Sequence, residues 1–255
     1  MTITKAAAGV IQAIFFDMNG TLRMREPHEP TQRAAVARML ELLGKAGAPD
    51  AYWDELTRRK KAYSYWAQEQ LIQLSEEEIW TRWILPEVPR GLIEPVAAEL
   101  TLAWTRRKGR PVPKPEAEET IVELKRRGYP LGVISNSMSS LDIPRSLDAF
   151  GWHDYFDVVV LSSAIKFRKP APEPFLEASQ ALGVLPEKCA YLGNRIIKDM
   201  VGCKRAGFAL GIILEPPDEP HPVEDNHAIQ PDAVIHSLLD LLGIFPGRIS
   251  LGGKD

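Results

Sequence analysis

The residue best placed to do chemistry in this chain is an aspartate that ends an apolar run. The run VIQAIFF, from Val10 to Phe16, is rich in strand formers and stops at Asp17, which sets a carboxylate at the C-terminal end of a buried parallel strand. From there a carboxylate can attack phosphorus and form an acyl-phosphate, dividing a hard hydrolysis into two easier displacements. An aspartate that only caps a turn ahead of Asn-Gly is the plain alternative, but it explains none of the other segments. Asn19-Gly20-Thr21 suits a tight turn whose backbone groups approach a phosphate, with Gly20 removing side-chain obstruction. The Asn19 carbonyl can also ligate magnesium. Ser135 offers a hydroxyl, and Asn136 a backbone N–H or its amide, to phosphoryl oxygens. Lys169 precedes Pro170, which denies helix geometry to the lysine backbone, and its ammonium can offset the crowding of Asp17 against an anionic substrate. The segment GNRIIKD, Gly193 to Asp199, closes the set. Asp199 also reads simply as a first-turn acid favoured by a helix dipole.

These groups need elements that bring them to one edge. Short apolar runs recur at Leu131 to Ile134, Val158 to Leu161, Ala190 to Leu192 and Leu210 to Leu214, so five central strands are expected. Helical patterns lie between them at Glu116 to Arg127, Pro172 to Leu182 and Ile196 to Ala206, with Gly128, Gly183 and Gly207 at or just past their ends. Alternating strands and helices imply an α/β fold, a doubly wound parallel sheet. Ligands bind such a sheet beyond the carboxyl ends of its strands, where strand order reverses. The stretch from about Thr31 to Arg107 breaks the rhythm and reads as an inserted helical lobe, with a capping-box pair at Ser75 and Glu78. Trp53, Trp66, Trp80, Trp83 and Trp104 fall in it and suit a helix-bundle core, with one or two left to face a cleft. The RRKK run, Arg58 to Lys61, reads as a solvated helix face, and Arg106 to Pro115 as a return linker. Arg23 and Arg25 read equally as anion-facing residues at closure or as a solvated hinge.

A chain of 255 residues with net charge -3 can bury one core and carry a smaller lobe, and it has no global attraction to nucleic acid or anionic membrane. No run approaches the roughly 20 apolar residues of a membrane span, and a cytoplasmic location is expected. Cys189 and Cys203 lack metal-knuckle spacing and read as buried fillers. The loop Glu215 to Pro231 reads as an exposed connection whose His221 and His227 show no defensible metal geometry, and the residues after Pro246 as a loose tail.

The four segments DMNGT, SNS, RKP and GNRIIKD, in that order, resemble the signature motifs of the haloacid dehalogenase-like hydrolase superfamily, and the helical insert resembles the cap of its first cap class. The resemblance spans nearly the whole chain. It implies a Rossmannoid core of about residues 1–24 and 108–246, a helical cap at 25–107 and a tail at 247–255. It further implies Asp17 as nucleophile, Lys169 rather than Lys166 or Arg168 as the catalytic ammonium, and Mg2+ held by Asp17, Asn19, Asn194 and Asp199. The substrate implied is a small phosphorylated metabolite; no nucleic-acid or membrane partner is expected. Two positions depart from the pattern: Asn19 and Asn194 stand where the phosphatases carry aspartates. An amide cannot titrate near neutrality, so the step that protonates the leaving oxygen and then activates water is weakened, a loss of about 10² to 10⁴-fold. Magnesium should bind weakly, since hard cations favour carboxylates. Asn19 also precedes Gly20, a pair open to deamidation, which would regenerate an acid. Three readings remain: a hydrolase with impaired acid–base catalysis, a non-catalytic protein that binds a phospho-ligand or partner, and a carbon–halide hydrolase like the 2-haloacid dehalogenases.

Overall fold

The computed structural model describes residues 10–217 and 229–247. His221, His227 and most of the C-terminal tail lie outside the described residues. Strand β1 (Ala13–Phe16) runs between β4 (Leu131–Ser135) and β6 (Cys189–Gly193) and pairs in parallel with both, Ile14 standing opposite Leu131 on one side and Ala190 on the other. Beyond β4 lies β5 (Val158–Leu161), and beyond β6 lie β7 (Leu210–Leu214) and β8 (Ala233–Ile235), giving the order β5-β4-β1-β6-β7-β8. Strand order therefore reverses at β1, and the crevice at its C-terminal end opens where Asp17 begins the next loop. The sixth strand, β8, is an addition to the five expected. Three residues carry too little periodicity to be read from sequence.

Alternation along the strands feeds two cores. Ile14, Phe16, Val133 and Leu192 face one side, while Ala13, Phe15, Ile134 and Tyr191 face the other. Gly132 is required by this packing, because a Cβ there would lie 2.6 Å from the Phe15 ring. Helices cover both faces, among them α4 (Ala117–Arg126), α5 (Asp142–Phe150), α6 (Glu173–Ala181) and α7 (Val201–Arg205). The last is preceded by a wider π turn at Ile196–Met200 where a continuous α-helix was expected.

The insert is helical as expected, built on α1 (Glu29–Leu42), α2 (Asp50–Gln70) and α3 (Ala97–Arg106). Trp80 and Trp104 are buried in its own apolar cluster, and Trp53, Trp66 and Trp83 pack against them. The capping box forms, with Glu78 N–H donating to Ser75 Oγ and Ser75 N–H to the Glu78 carboxylate. Among the described residues no helix is long and apolar enough to cross a membrane.

The chain enters and leaves the insert through a ribbon, which corrects two expectations. Arg23–Glu26 and Arg110–Pro113, read as hinge and linker, pair antiparallel as β2 and β3. Arg23 and Arg25 fall on one face by the two-residue period. Arg23 is not solvated: it is fully buried, and its guanidinium donates to the Asp142 carboxylate, to Ser146 Oγ and to the Asp142 carbonyl. Arg25 donates to the same Asp142 oxygen at 2.5 Å, and Arg106 stands 3.3 Å from the other oxygen.

Burial works against the Asp142 carboxylate, but Arg23 and Arg25 outweigh it and hold its pKa below the usual carboxylate range. This contribution is complete above the pKa of an unfolded aspartate, about 3.9, and is lost as pH falls through the lower folded value. Asp142→Asn leaves the Arg23 charge buried without a counter-ion, and urea unfolding at neutral pH should show a loss of about 3–5 kcal/mol. The gap between wild type and variant should narrow on acidification below about pH 4. An unchanged unfolding midpoint at neutral pH would show that the pair contributes nothing.

Candidate active site

Four strand ends deliver the chemistry. Asp17 follows β1, its N–H donating to the Leu192 carbonyl at 2.8 Å. Ser135 ends β4, Lys169 stands in the loop between β5 and α6, and Asp199 lies in the turn after β6. Their side chains meet. Lys169 Nζ, buried at 4% exposure, lies within hydrogen-bond distance of four oxygens that share its three N–H groups: Asp17 Oδ1 (2.7 Å), Asp199 Oδ1 (2.7 Å), the Ile134 carbonyl (2.9 Å) and the Tyr191 hydroxyl (2.5 Å). Ser135 Oγ donates to the same Asp17 Oδ1 at 3.1 Å. One carboxylate oxygen of Asp17 is thus held twice. Oδ2 takes no side-chain hydrogen bond, and a tenth of the Asp17 side chain stays open.

Burial disfavours the Lys169 ammonium, yet Asp17 and Asp199 more than restore it and raise its pKa above the usual lysine value. For Asp17, burial dominates; Lys169 pulls the pKa back, Asp199 adds to the rise, and the net direction is upward. Tyr191 is pushed well above the usual phenol range, first by burial and then by Asp199 and Asp17, and stays a neutral hydroxyl.

The turn after Asp17 is closed by Gly20 N–H donating to the Arg23 carbonyl at 2.8 Å. Gly20 has φ +86°, and a Cβ on it would lie 2.2 Å from Asn194 Nδ2, so glycine is required twice over. Arg23 Nε donates to Asn19 Oδ1 at 3.0 Å. A guanidinium only donates, so the Asn19 carbonyl oxygen faces Arg23 and its NH2 is the end left for the cleft.

Two expected phosphate ligands are placed differently. Thr21 is fully buried and lies off the cavity wall, its hydroxyl without a hydrogen-bond partner. The Asn136 amide is spent on the Lys169 backbone, donating to its carbonyl at 2.9 Å and accepting from its N–H at 2.9 Å. The backbone N–H of Asn136 and the second N–H of its side-chain NH2 are left for a ligand.

The expected magnesium donors can be tested in the same way. Asp199 Oδ1 accepts from Lys169 and Tyr191, and Oδ2 from the backbone N–H groups of Asn194 (3.1 Å) and Arg195 (3.0 Å). Both its oxygens are committed to holding the loop. The Asn19 side-chain oxygen belongs to Arg23, which leaves the Asp17 carboxylate, the Asn19 backbone carbonyl and the Asn194 amide. No group of three His, Cys, Asp or Glu residues among the described residues could hold a metal. This donor set does not fit a tightly held magnesium ion, which prefers carboxylates in near-ideal octahedral geometry.

The cleft has two contiguous lobes. The inner one, of about 160 Å3, is walled by Asp17, Ser135, Lys169, Asn194 and Lys198. The outer one, of about 320 Å3, lies under the insert and is walled by Arg25, Lys60, Trp104, Lys108 and Met138. Asn19 and Asn136 border both. Lys60 thereby departs from the solvated face expected for RRKK, whereas Arg58 and Arg59 do sit on it, paired with Glu55. Arg168, also expected in solvent, is half-buried and donates to Gln73 Oε1 of the insert. Tyr191, Lys198 and Lys60 were missed by sequence reasoning. A hydroxyl inside an otherwise apolar strand was the available signal for Tyr191.

Comparison with known proteins agrees with this geometry. A family model described as haloacid dehalogenase-like hydrolase matches residues 11–207. A glyceraldehyde 3-phosphate phosphatase of Methanopyrus kandleri is 37% identical over 96 residues, 38% of this chain and 41% of the relative. A phosphoserine phosphatase of Thermus thermophilus is 30% identical over 166 residues, 63% of this chain and 66% of the relative. The chain thus spans less than two thirds of the length of these curated relatives. A 2-haloacid dehalogenase structure from Pseudomonas syringae pv. Tomato DC3000 superposes with TM-score 0.64 at 22% identity, covering 92% of this chain and 97% of that one, a likeness of fold.

Two measurements probe the site. Reaction through Asp17 requires its ionised form, so the acid limb of kcat/KM against pH should lie above the usual carboxylate range. Lys169→Met should move it higher still while lowering stability by about 3–5 kcal/mol; a limb that stays in place would detach Lys169 from Asp17. In calorimetric titration, Asn194→Asp should tighten magnesium binding by about tenfold or more, an effect absent if Asn194 lies outside the coordination sphere.

Proposed function

The chain belongs to the haloacid dehalogenase-like hydrolases, and on that premise we propose that it hydrolyses a small phosphorylated metabolite through an aspartyl-phosphate on Asp17, with impaired acid–base catalysis. The observation that carries this reading is Asp17 itself, with Oδ1 held by Lys169 and Ser135 and the residue lining a cavity. The named activities of the relatives, on glyceraldehyde 3-phosphate and phosphoserine, support a small phosphate monoester as the substrate class. The sheet, about residues 1–24 and 108–246, acts as the catalytic core, and residues 25–107 act as a cap that excludes water and selects substrate.

In the first step Asp17 Oδ2 attacks phosphorus and the bond to the leaving oxygen breaks, its electron pair departing with that oxygen. Lys169 offsets the charge of Asp17 against the incoming anion, while the Asn136 N–H groups steady phosphoryl oxygens and the Ser135 hydroxyl joins them by turning its one proton from Asp17 Oδ1. The NH2 of Asn19 can hydrogen-bond the leaving oxygen but has no proton to give up near neutrality, so the leaving group takes its proton from water. In the second step water attacks phosphorus, the bond from phosphorus to the Asp17 oxygen breaks and its electron pair returns to the carboxylate; with no base at residue 19, the proton of the attacking water passes to solvent. The aspartyl-phosphate should therefore persist, and esters of acidic alcohols should be favoured. No step is routed through a metal.

Loss of two acids favours a second reading, a protein that binds a phosphorylated ligand without turnover. An activated aryl phosphate separates the two. Under the hydrolase reading, Asp17→Ala abolishes turnover, mass spectrometry of the wild type during turnover finds a phosphoryl group on Asp17, and Asn19→Asp raises the rate about 10²-fold or more. Arg23 would hold the new carboxylate ionised, suiting it to the water-activating step above all. A silent wild type with activity only in the Asn19→Asp/Asn194→Asp double variant would point to the binding protein instead.

A further inference from the structure

The outer lobe carries charge that the chemistry at Asp17 does not use. Arg25 of β2, Lys60 of α2 and Lys108 just beyond α3 line one cavity, and Asp142 is the carboxylate on its wall. That carboxylate is already shared by Arg23, Arg25 and Arg106. Lys60 and Lys108 have no carboxylate partner among the described residues. Lys60 is half-buried on the helix face that looks into the cleft. Its pKa is pushed down to about 8, first by burial and then by Lys108, Arg168 and Lys198, so the cations around it repel one another with no anion between them. Trp104, Met24 and Met138 supply an apolar wall. A folded chain tolerates such uncompensated charge where a ligand completes it.

We propose that Lys60 and Lys108, with Arg25, form a subsite for a second anionic group on the substrate, so that the cleft selects phosphate esters that also carry a carboxylate or a second phosphate. This rests on the phosphoryl group occupying the Asp17 lobe. Asn19 and Asn136 border both lobes, so one small molecule can reach from Asp17 to the lysines.

Calorimetric binding to the full chain tests this independently of turnover. The ligands are ethyl phosphate, phosphoethanolamine, 2-phosphoglycolate and the bisphosphate of ethane-1,2-diol. Either or both of the last two should bind about tenfold or more tightly than ethyl phosphate, the better of them identifying the second anion. That ratio should fall toward one in Lys60→Met/Lys108→Met and persist in Lys61→Met, whose ammonium instead lies over the Tyr65 ring. Lys60→Glu should turn the preference toward phosphoethanolamine. A ratio near one in the wild type, a ratio unmoved in the double variant, or no binding by any of the four ligands overturns the proposal. A flat ratio beside Asp17-dependent hydrolysis of an aryl phosphate removes the subsite and leaves the hydrolase reading. An intact ratio without turnover does the reverse.

Discussion

The site is organised around one buried ammonium. Lys169 holds two carboxylates that arrive from different strand ends, and the removal of these charges from water is offset only because every N–H of the ammonium finds an oxygen. Other features follow from this. Asp17 becomes asymmetric, one oxygen fixed and one without a side-chain hydrogen bond. Asp199 is drawn inward to hold the loop through Asn194 and Arg195, and so is removed from the set of groups that could grip a metal. Asn136 fixes the lysine from the other side by clasping its backbone at both the N–H and the carbonyl.

A second cluster, around Asp142, sets the electrostatics of the entrance. One carboxylate faces three guanidinium groups there, so the cluster keeps a positive excess. Arg23 connects it to the chemistry. By donating to Asn19 Oδ1 it decides which end of that amide meets a ligand, and the residue in place of an acid becomes an oriented hydrogen-bond donor. The cleft as a whole pairs a balanced interior with a cationic mouth, a charge distribution that favours anions at the entrance.

Insert and sheet meet at more than the ribbon. Gln73 N–H donates to the Lys166 carbonyl at 2.7 Å, and Arg168 N–H to the Leu71 carbonyl at 2.9 Å, placing the loop that carries Lys169 directly against the insert. Glu76 accepts from the backbone and hydroxyl of Ser140 in the loop that follows Ser135. Burial first, partly countered by Ser140, raises its pKa. Both contacts tie the insert to the loops that carry Asn136 and Lys169.

Local patterns determined a good deal. Apolar runs ending in Asp17 and Ser135, the glycine-punctuated helices and the tryptophan-rich insert were legible because strand and helix periods and caps are properties of neighbouring residues. The sheet, the helical lobe and the meeting of Asp17, Ser135, Lys169 and Asp199 followed from them. Strand β8 and the β2–β3 ribbon did not, since three or four residues give little period and the ribbon partners are more than 80 residues apart. Partner choice was decided only by the tertiary structure. Arg23, Arg168 and Lys60 looked alike as surface cations, yet one is fully buried against Asp142, one reaches Gln73 and one faces the cleft. Thr21 proved fully buried, and the Asn136 amide spends its oxygen and one N–H on the Lys169 backbone. A side chain's type fixes what it can donate or accept, but which atom meets it depends on segments distant in the chain, brought together only when the sheet closes and the insert packs over it.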